Sequence, residues 1–448
     1  MMREDYAERR RKLYDPLRAE GVFTWDEMYG AEYALATIHP VSREFRQEIV
    51  GATEALGQIF AKTVAVVRRG PEALLEELGI PAAARRAVRL FLPESDPTLI
   101  GRFDFAPTPE GLKMLEFNSD TPTGIVEAFY VNGRVCEHFG AEDPNEGCEE
   151  HLRLAFRHAL DTYRKEGYAT ERVVFSALDW HEEDAGTTRY LLDRSGLDGR
   201  FVPLSDLRVE GERMTALVEG ASLPVDVLYR LHALEILAED RDDDGYPTGA
   251  HALELIARRR LAVINPPGAL LSQTKAMQAL IWALHEAGEF FDPEEHRIIE
   301  TYMLPTYLEN RFRGIPHVTK PIFGREGAGV TLYDASGVAV CRGDDRYGDQ
   351  PMVFQRRVEM EPVEVETLKG PFRGRLLWGS FLIGGRASAI LARVDGPVTG
   401  DMSYFLPVCY ADSLRCAAPP GRFPDTRQGQ SAPATFKPTP TDREGLRT

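Results

Sequence analysis

The sequence predicts a mixed α/β (α+β) fold, and three stretches carry the prediction. Between 100 and 118 two segments alternate apolar with polar residues: Phe103 and Phe105 against Arg102 and Asp104, then Leu115 and Phe117 against Glu116 and Asn118. A strand's side chains alternate between faces, so these read as two half-buried strands. Pro107-Thr108-Pro109-Glu110-Gly111 between them is turn chemistry. Between 173 and 195 an apolar run, a polar loop and a helical pattern follow one another, the unit from which a helix-covered sheet is built. From 42 to 69, Leu56, Ile59, Phe60, Val64 and Val67 fall on one helical stripe, which places them in the core.

Length and charge bound the rest. At 448 residues the chain exceeds one ordinary domain, and an apolar share of 43% supports a sizeable core. With 70 acidic against 53 basic residues the net charge is −17. That argues against nucleic acid or an anionic membrane as partner and is compatible with a cationic substrate. Cys136, Cys148, Cys341, Cys409 and Cys416 are odd in number and share no C-x-x-C spacing. Neither a disulfide framework nor a zinc site is expected, and a reducing, cytoplasmic setting fits. The start, MMREDYAERRRKLYD, is too charged for a signal peptide, and no apolar run is long enough to predict a membrane span.

In chain order, residues 1–40 are charged and then aromatic and read as helix and loop, and 81–93 holds a short helix leading into the hairpin. If the two hairpin strands pair, Arg102, Asp104, Glu116 and Asn118 share one face, giving three oxygen donors and a guanidinium. That set suits a hard cation such as Mg²⁺, with Arg102 placed for an anionic oxygen. The alternation by itself fits equally a hairpin whose polar face is merely wet. The run from Asn118 to Gly124 is dense in turn and cap residues, with Thr123 placed to cap a helix starting near Ile125. A helix N-terminus aimed back at the hairpin makes an anion site.

Residues 149–168 repeat helically, and 173–175, 225–231 and 261–264 read as strands of a small Rossmann-like lobe. The acidic loop 181–184 is either a cation-holding loop or a solvated turn. His232 is assigned a structural role. Lys275 opens a helix running to about 287, where a cation opposes the helix dipole, a small cost that points to another role. A strand ending in Lys320 leads through Gly324, Gly327 and Gly329 into a second strand, and glycines let backbone N–H groups approach phosphates closely. Neither a Walker A nor a G-x-G-x-x-G pattern is present. Strands follow at 351–358 and 376–394, the latter folded at Gly384-Gly385. From Ala417 a Pro-, Ser- and Thr-rich run predicts a disordered tail.

R-x-D at 102–104, then L-E-x-N-x-D-T-P-T at 115–123, then E-A at 127–128, resemble the synthetase domain of glutathionylspermidine synthase and its stand-alone acid–amine ligase relatives. S-x-x-K at 272–275 and K-P-I-x-x-R-E-G at 320–327 extend the resemblance, in order, over about 16–412. It implies an ATP-grasp-type synthetase with a Rossmann-like pre-ATP-grasp lobe. The implied division is 1–149 for N-terminal helices and hairpin, 150–265 for the Rossmann-like substrate lobe, 266–416 for the lid and nucleotide-binding lobe, and 417–448 for the tail.

The resemblance also implies ATP and Mg²⁺, two ions, as cofactors. Asp104, Glu116 and Asn118 take the metal positions and Arg102 the catalytic one. ATP contacts fall on Arg102, Phe103, Asp104, Lys275, Lys320, Glu326, Gly327, Gln355, Arg356, Arg357 and Val358, and substrate contacts on Thr121, Glu183, Asp184, Glu235 and Arg393. The chain departs from its relatives at Arg356, where they tend to carry a Gln. It also starts directly in the synthetase portion, so amidase activity is expected to be absent. The implied reaction phosphorylates a carboxylate with ATP and lets an amine displace phosphate from the acyl phosphate. A peptide or thiol-peptide acid and a polyamine or other amine are the expected small-molecule partners. A nucleotide-binding member without turnover and a kinase-like enzyme are the alternatives, and the oligomeric state stays open.

Overall fold

The structure, a computed structural model, describes residues 5–92 and 96–416, so the predicted tail from Ala417 lies outside the described residues. The hairpin forms as its alternation dictates. Strands Ile100–Thr108 and Gly111–Asn118 pair antiparallel, with Arg102 opposite Asn118, Phe103 opposite Phe117 and Asp104 opposite Glu116. The turn closes on Gly111 at φ +96°, a conformation that suits glycine. After Asp104 a bulge shifts the register, so that Phe105 faces Met114. Strict alternation would send Leu115 into the core with Phe117; the bulge leaves it half-buried on the wall of the cavity that Glu116 lines.

The hairpin's apolar face anchors a core. Helix Arg43–Val67 is capped by Ser42, whose hydroxyl accepts from Phe45 N at 3.1 Å. Phe103 and Phe117 stack with centroids 3.8 Å apart, and Phe60 from this helix meets both edge-on. The whole predicted stripe, Leu56 to Val67, is buried. The helix is long enough to pass for a membrane span at a mean hydropathy of 1.2, yet its apolar side packs on protein.

Chain order does not decide where the hairpin belongs. Its first strand pairs with Gly370–Ile383, placing Asp104 opposite Gly379. The six-stranded sheet runs Tyr404–Leu406, Arg386–Asp395, Gly370–Ile383, Ile100–Thr108, Gly111–Asn118, with Pro362–Thr367 also on Gly370–Ile383. A Cβ at Gly379 would stand 2.8 Å from Arg102 Cδ, so the glycine makes room for that arginine.

A parallel four-stranded sheet, ordered Ala262–Ile264, Val227–Arg230, Val173–Ala177, Gly199–Pro203, forms the Rossmann-like lobe, with an antiparallel three-stranded meander between 207 and 225. A five-stranded antiparallel sheet, ordered Thr306–Tyr307, Met352–Arg356, His317–Pro321, Thr331–Tyr333, Ala339–Arg342, carries Lys320 and the glycine-rich segment that follows it.

Two local expectations change. The acidic stretch 181–184 is not a loop: helix Glu182–Ser195 starts there, and the His181 ring accepts from Asp184 N at 3.3 Å as its cap. Three acids in a first turn are favoured by the helix dipole, which is why the charge run sits there. Near 123, the first helical bond runs from Ala128 N to Gly124 O at 3.2 Å, so Gly124 and not Thr123 flanks that helix. The Thr123 carbonyl instead accepts from Arg102 at 2.6 Å, and the helix continues as a π-turn over Glu127–Val131.

Candidate active site

Between the hairpin's polar face and the five-stranded sheet lies a cavity of about 190 Å³. Its wall mixes apolar Leu115, Val318, Leu332 and Leu377 with ionic Asp104, Glu116, Lys275 and Lys320, and Gly324, Gly327 and Thr399 close over it. Apolar surface beside concentrated charge suits a molecule that joins a flat ring to an anionic chain.

Glu116 is the hub of that charge. Its carboxylate lies 3.2 Å from Lys275 Nζ and accepts from Asn118 Nδ2 at 3.3 Å. Burial pushes this carboxyl up, but Lys275 and Lys320 outweigh burial and hold it well below the usual carboxylate range. Lys275, the first residue of helix Lys275–Ala287, also donates to Gly324 O at 2.7 Å, tying the helix start to the glycine-rich segment. Lys320 donates to Leu115 O at 3.0 Å. Burial, aided by Lys275, pulls Lys320 down to about 8 against the pull of Glu116. Two buried ammonium groups around one carboxylate leave net positive charge that a bound polyanion would satisfy.

Asp104 organises the neighbouring charge. Arg102 Nε donates to Asp104 Oδ1 at 2.7 Å, and Arg102 also donates to Thr123 O at 2.6 Å. Arg393, from the far side of the sheet order, donates to Asp104 Oδ2 at 2.7 Å, and Asn118 donates to the same oxygen at 3.3 Å. Arg102 is thus a rigid, almost fully buried guanidinium, which costs little reorganisation when charge develops nearby.

The expected substrate positions fall in three places, the first being Arg393 on Asp104 as above. Arg325, in the glycine-rich segment, donates to Thr121 Oγ1 at 2.8 Å and to Glu235 Oε1 at 2.6 Å, so one side chain links both. Glu183 and Asp184 sit apart, on the first turn of helix Glu182–Ser195. Burial, then Glu127 and Asp184, push the Glu183 carboxyl up to about 8.

The structure therefore brings Asp104, Glu116, Lys275, Lys320, Gly327, Gln355, Arg356, Arg357 and Val358 to one cavity. Gln355 is nonetheless buried and donates to Gln278 and Thr306, and Arg356 pairs with Glu110 at 2.6 Å. Three expected ATP contacts, Arg102, Phe103 and Glu326, and Asn118 of the expected metal set do not line that cavity. The Phe103 ring faces the core, because odd and even residues of its strand point to opposite faces. Glu326 is absent from the cavity wall and pairs with Arg346 at 3.3 Å. His232 pairs with Asp240 at 2.7 Å, as a structural residue would.

Sequence reasoning missed the residues that hold these parts in place. Asn265 Oδ1 accepts from Leu99 N and Ile100 N, and its Nδ2 donates to Ile100 O, Ser119 O and Asp120 O, so one amide pins both ends of the hairpin. Gln273 Oε1 accepts from Ser119 N and Asp120 N. Asp120 and Arg230 form a buried ion pair at 2.5 Å. Asp120 and Arg325 left a signal, each a fixed letter of the motifs at 115–123 and 320–327.

Comparison with known proteins places the chain in a family. The family model described as glutathionylspermidine synthase preATP-grasp matches residues 6–411. A protein of Haemophilus influenzae named as an acid–amine ligase is 27% identical over 326 residues, covering 70% of this chain and 74% of that protein. The trypanothione synthetase of Crithidia fasciculata is 24% identical over 273 residues, 57% of this chain but 39% of that longer enzyme. The solved structure of a glutathione synthetase-like effector from Globodera pallida superposes with a TM-score of 0.58 at 14% identity, covering 91% of this chain and 98% of that one. The fold is thus of the ATP-grasp synthetase type, and the names of the relatives support a ligase. The chain belongs to the glutathionylspermidine synthase preATP-grasp family.

Proposed function

We propose that this chain is an ATP- and Mg²⁺-dependent acid–amine ligase that works through an acyl phosphate, with a peptide or thiol-peptide carboxylate as acid and a polyamine or other amine as nucleophile. One observation carries the reading: Glu116, held anionic between Lys275 and Lys320, lines the same cavity as Asp104.

Asp104, Glu116 and Asn118 fit a magnesium ion. After the hydrogen bonds above, Asp104 Oδ1, both Glu116 oxygens and Asn118 Oδ1 keep lone pairs to give. Among the described residues no three His, Cys, Asp or Glu side chains form a metal cage by themselves, which suits an ion that keeps waters and shares phosphate oxygens. When bound, that ion supplies neutralisation of phosphate charge. Lys275 and Lys320 add two fixed positive charges along the same polyanion, and phosphoryl transfer needs little beyond such positioning. In the first step a carboxylate oxygen attacks the γ-phosphorus and ADP leaves. In the second an amine nitrogen attacks the acyl carbon and phosphate leaves with the C–O electron pair. Arg102 steadies the oxyanion that forms at that carbon. The segment from Gly324 to Gly329 covers the cavity and keeps water from the acyl phosphate.

Phosphate release from ATP–Mg²⁺, with and without glutathione and spermidine, tests the reading. Release that requires both acid and amine is expected. Release without amine would mean a kinase-like enzyme, and bound nucleotide without release would mean a binding protein. As a first step, ATP–Mg²⁺ at about 100 times its Kd should stabilise the fold by about 2.7 kcal/mol; an unmoved thermal midpoint would remove the nucleotide from the site.

A further inference from the structure

We propose that Arg325 is a positioning residue that latches the glycine-rich segment shut against the turn after the hairpin and the Rossmann-like lobe, and so keeps water from the acyl phosphate until the amine attacks. The role in turnover rests on the ligase reading above; the latch itself does not.

The Arg325 guanidinium uses all three nitrogens. Nε and Nη2 donate to Glu235 Oε1 at 3.1 and 2.6 Å, and Nη1 donates to Thr121 Oγ1 at 2.8 Å. The Glu235 side chain is 9% exposed, and its Oε2 has no hydrogen-bond partner. The pair is taken largely out of water, so this carboxylate depends on Arg325 for its counter-charge. A planar fork held at two points fixes the backbone that carries it. Arg325, Thr121 and Glu235 all lie off the wall of the cavity, so the latch acts on the cover and not on the phosphates.

The receiving side is built independently of the latch. Asp120 pairs with Arg230 at 2.5 Å and accepts from Leu234 N at 2.9 Å. Those bonds fasten the residue before Thr121 to the residue before Glu235. Gln273 Oε1 accepts from Ser119 N and Asp120 N and steadies the same turn. Thr121 and Glu235 are therefore two fixed points on which the glycine-rich segment docks.

The segment has little to hold its own shape. Glu326, next to Arg325, has φ +54°, a left-handed conformation unfavourable for a residue with a side chain, and Gly327 and Gly329 follow at +69° and +71°. Such backbone persists where its surroundings fix it. Lys275 fixes one end, donating to Gly324 O at 2.7 Å, and Arg325 fixes the next residue from the opposite side. Gly324 and Gly327, on either side of Arg325, close over the cavity that Glu116 and Lys320 line. Two adjacent residues thus fasten the cover to the charged cavity and to the Rossmann-like lobe at once.

Releasing the latch admits water. A water oxygen then attacks the acyl carbon, the C–O bond to phosphate breaks with its electron pair on phosphate, and one water proton goes to the phosphate. The acid is regenerated and ATP is consumed without amide.

Phosphate released per amide formed, measured on the full chain with ATP–Mg²⁺, glutathione and spermidine, tests the role. The wild type should release one phosphate for each amide. Arg325→Ala should release several, continue when spermidine is withheld, and raise KM for ATP several-fold. A residue that only supports the fold would lower kcat with the ratio unchanged, and that result overturns the proposal. Hydrogen exchange without substrate reads the latch directly. Amides of 324–330 should exchange about tenfold faster or more in Arg325→Ala, with those of strand His317–Pro321 unmoved; unmoved exchange over 324–330 overturns the latch. Should Arg325→Ala fail to fold, Arg325→Lys keeps the charge beside Glu235 but loses the fork that spans to Thr121, and both readouts should move the same way by less; no movement there overturns the proposal equally. Faster exchange in the variant, with no amine-dependent phosphate release from wild type, would sink the ligase reading and leave the latch standing.

Discussion

Glu116 and Glu183 are both half-buried glutamates, and their surroundings drive them in opposite directions. Burial raises both. At Glu116 two lysines reverse it, and the carboxyl stays charged whatever the working pH. At Glu183 the neighbours are carboxyls, and burial is reinforced. The first is therefore fixed charge, suited to organising cation and polyanion, and the second keeps its proton to a higher pH than an ordinary carboxyl. Environments that separate two like groups assign their roles, because the interior offers each group few counter-charges and position decides which are near.

The largest break in that contrast is expected from Glu116→Gln. It leaves Lys275 and Lys320 without their common partner and removes a metal position. Turnover should fall on the order of 10²–10³-fold or more, with cooperative unfolding retained, as read by phosphate release and thermal unfolding. Near-normal activity would take Glu116 out of the role.

The opposite face of the same hairpin should respond in stability. Phe103→Ala opens a cavity between Phe60 and Phe117 and should cost about 3–5 kcal/mol in urea unfolding. Turnover measured where the variant is still folded should change far less than in Glu116→Gln. A stable Phe103→Ala with lost activity would mean that the two faces are not separable.

Glu183→Gln sharpens the contrast through pH. The Glu183 carboxyl sits at about 8 in the folded chain against an ordinary 4.5. Between those values the folded state holds more protons than the unfolded state, so this group's contribution to stability is full below the ordinary value and is lost as pH rises towards 8. Replacing it with Gln should flatten the thermal midpoint across that window, and an unchanged slope would place the raised carboxyl elsewhere.

Gly327→Ala should give the smallest effect. Gly327 has φ +69°, and a Cβ there would stand 2.4 Å from Thr399 O, where the glycine-rich segment meets its cover. The left-handed conformation costs a non-glycine residue roughly 1–2 kcal/mol, charged here to the closed form. A several-fold rise in KM for ATP with little change in unfolding is expected, and an unchanged KM would mean that the closure does not bear on the nucleotide.

Much of this was readable along the chain. The helical stripe from Leu56 to Val67 and the alternation around Phe103 and Phe117 depend on residues a few positions apart, where local geometry dictates which side chains share a face. The two motifs that carry Lys275 and Lys320 likewise meet in space, at one cavity. Where the reading slipped, local detail finer than periodicity was at work: a bulge turned Leu115 towards the cavity, and His181 capped a helix that drew the acidic run into its first turn.

The sequence by itself determined the periods and the family. Tertiary structure alone decided that Arg393 reaches Asp104 across a sheet, that Asn265 clasps both ends of the hairpin, that Arg325 joins Thr121 to Glu235, and that Trp25 and Tyr33 both donate to Glu127. Local patterns follow from backbone geometry, whereas charge and proton affinity follow from distance in space, and only packing of segments far apart in the chain sets those distances.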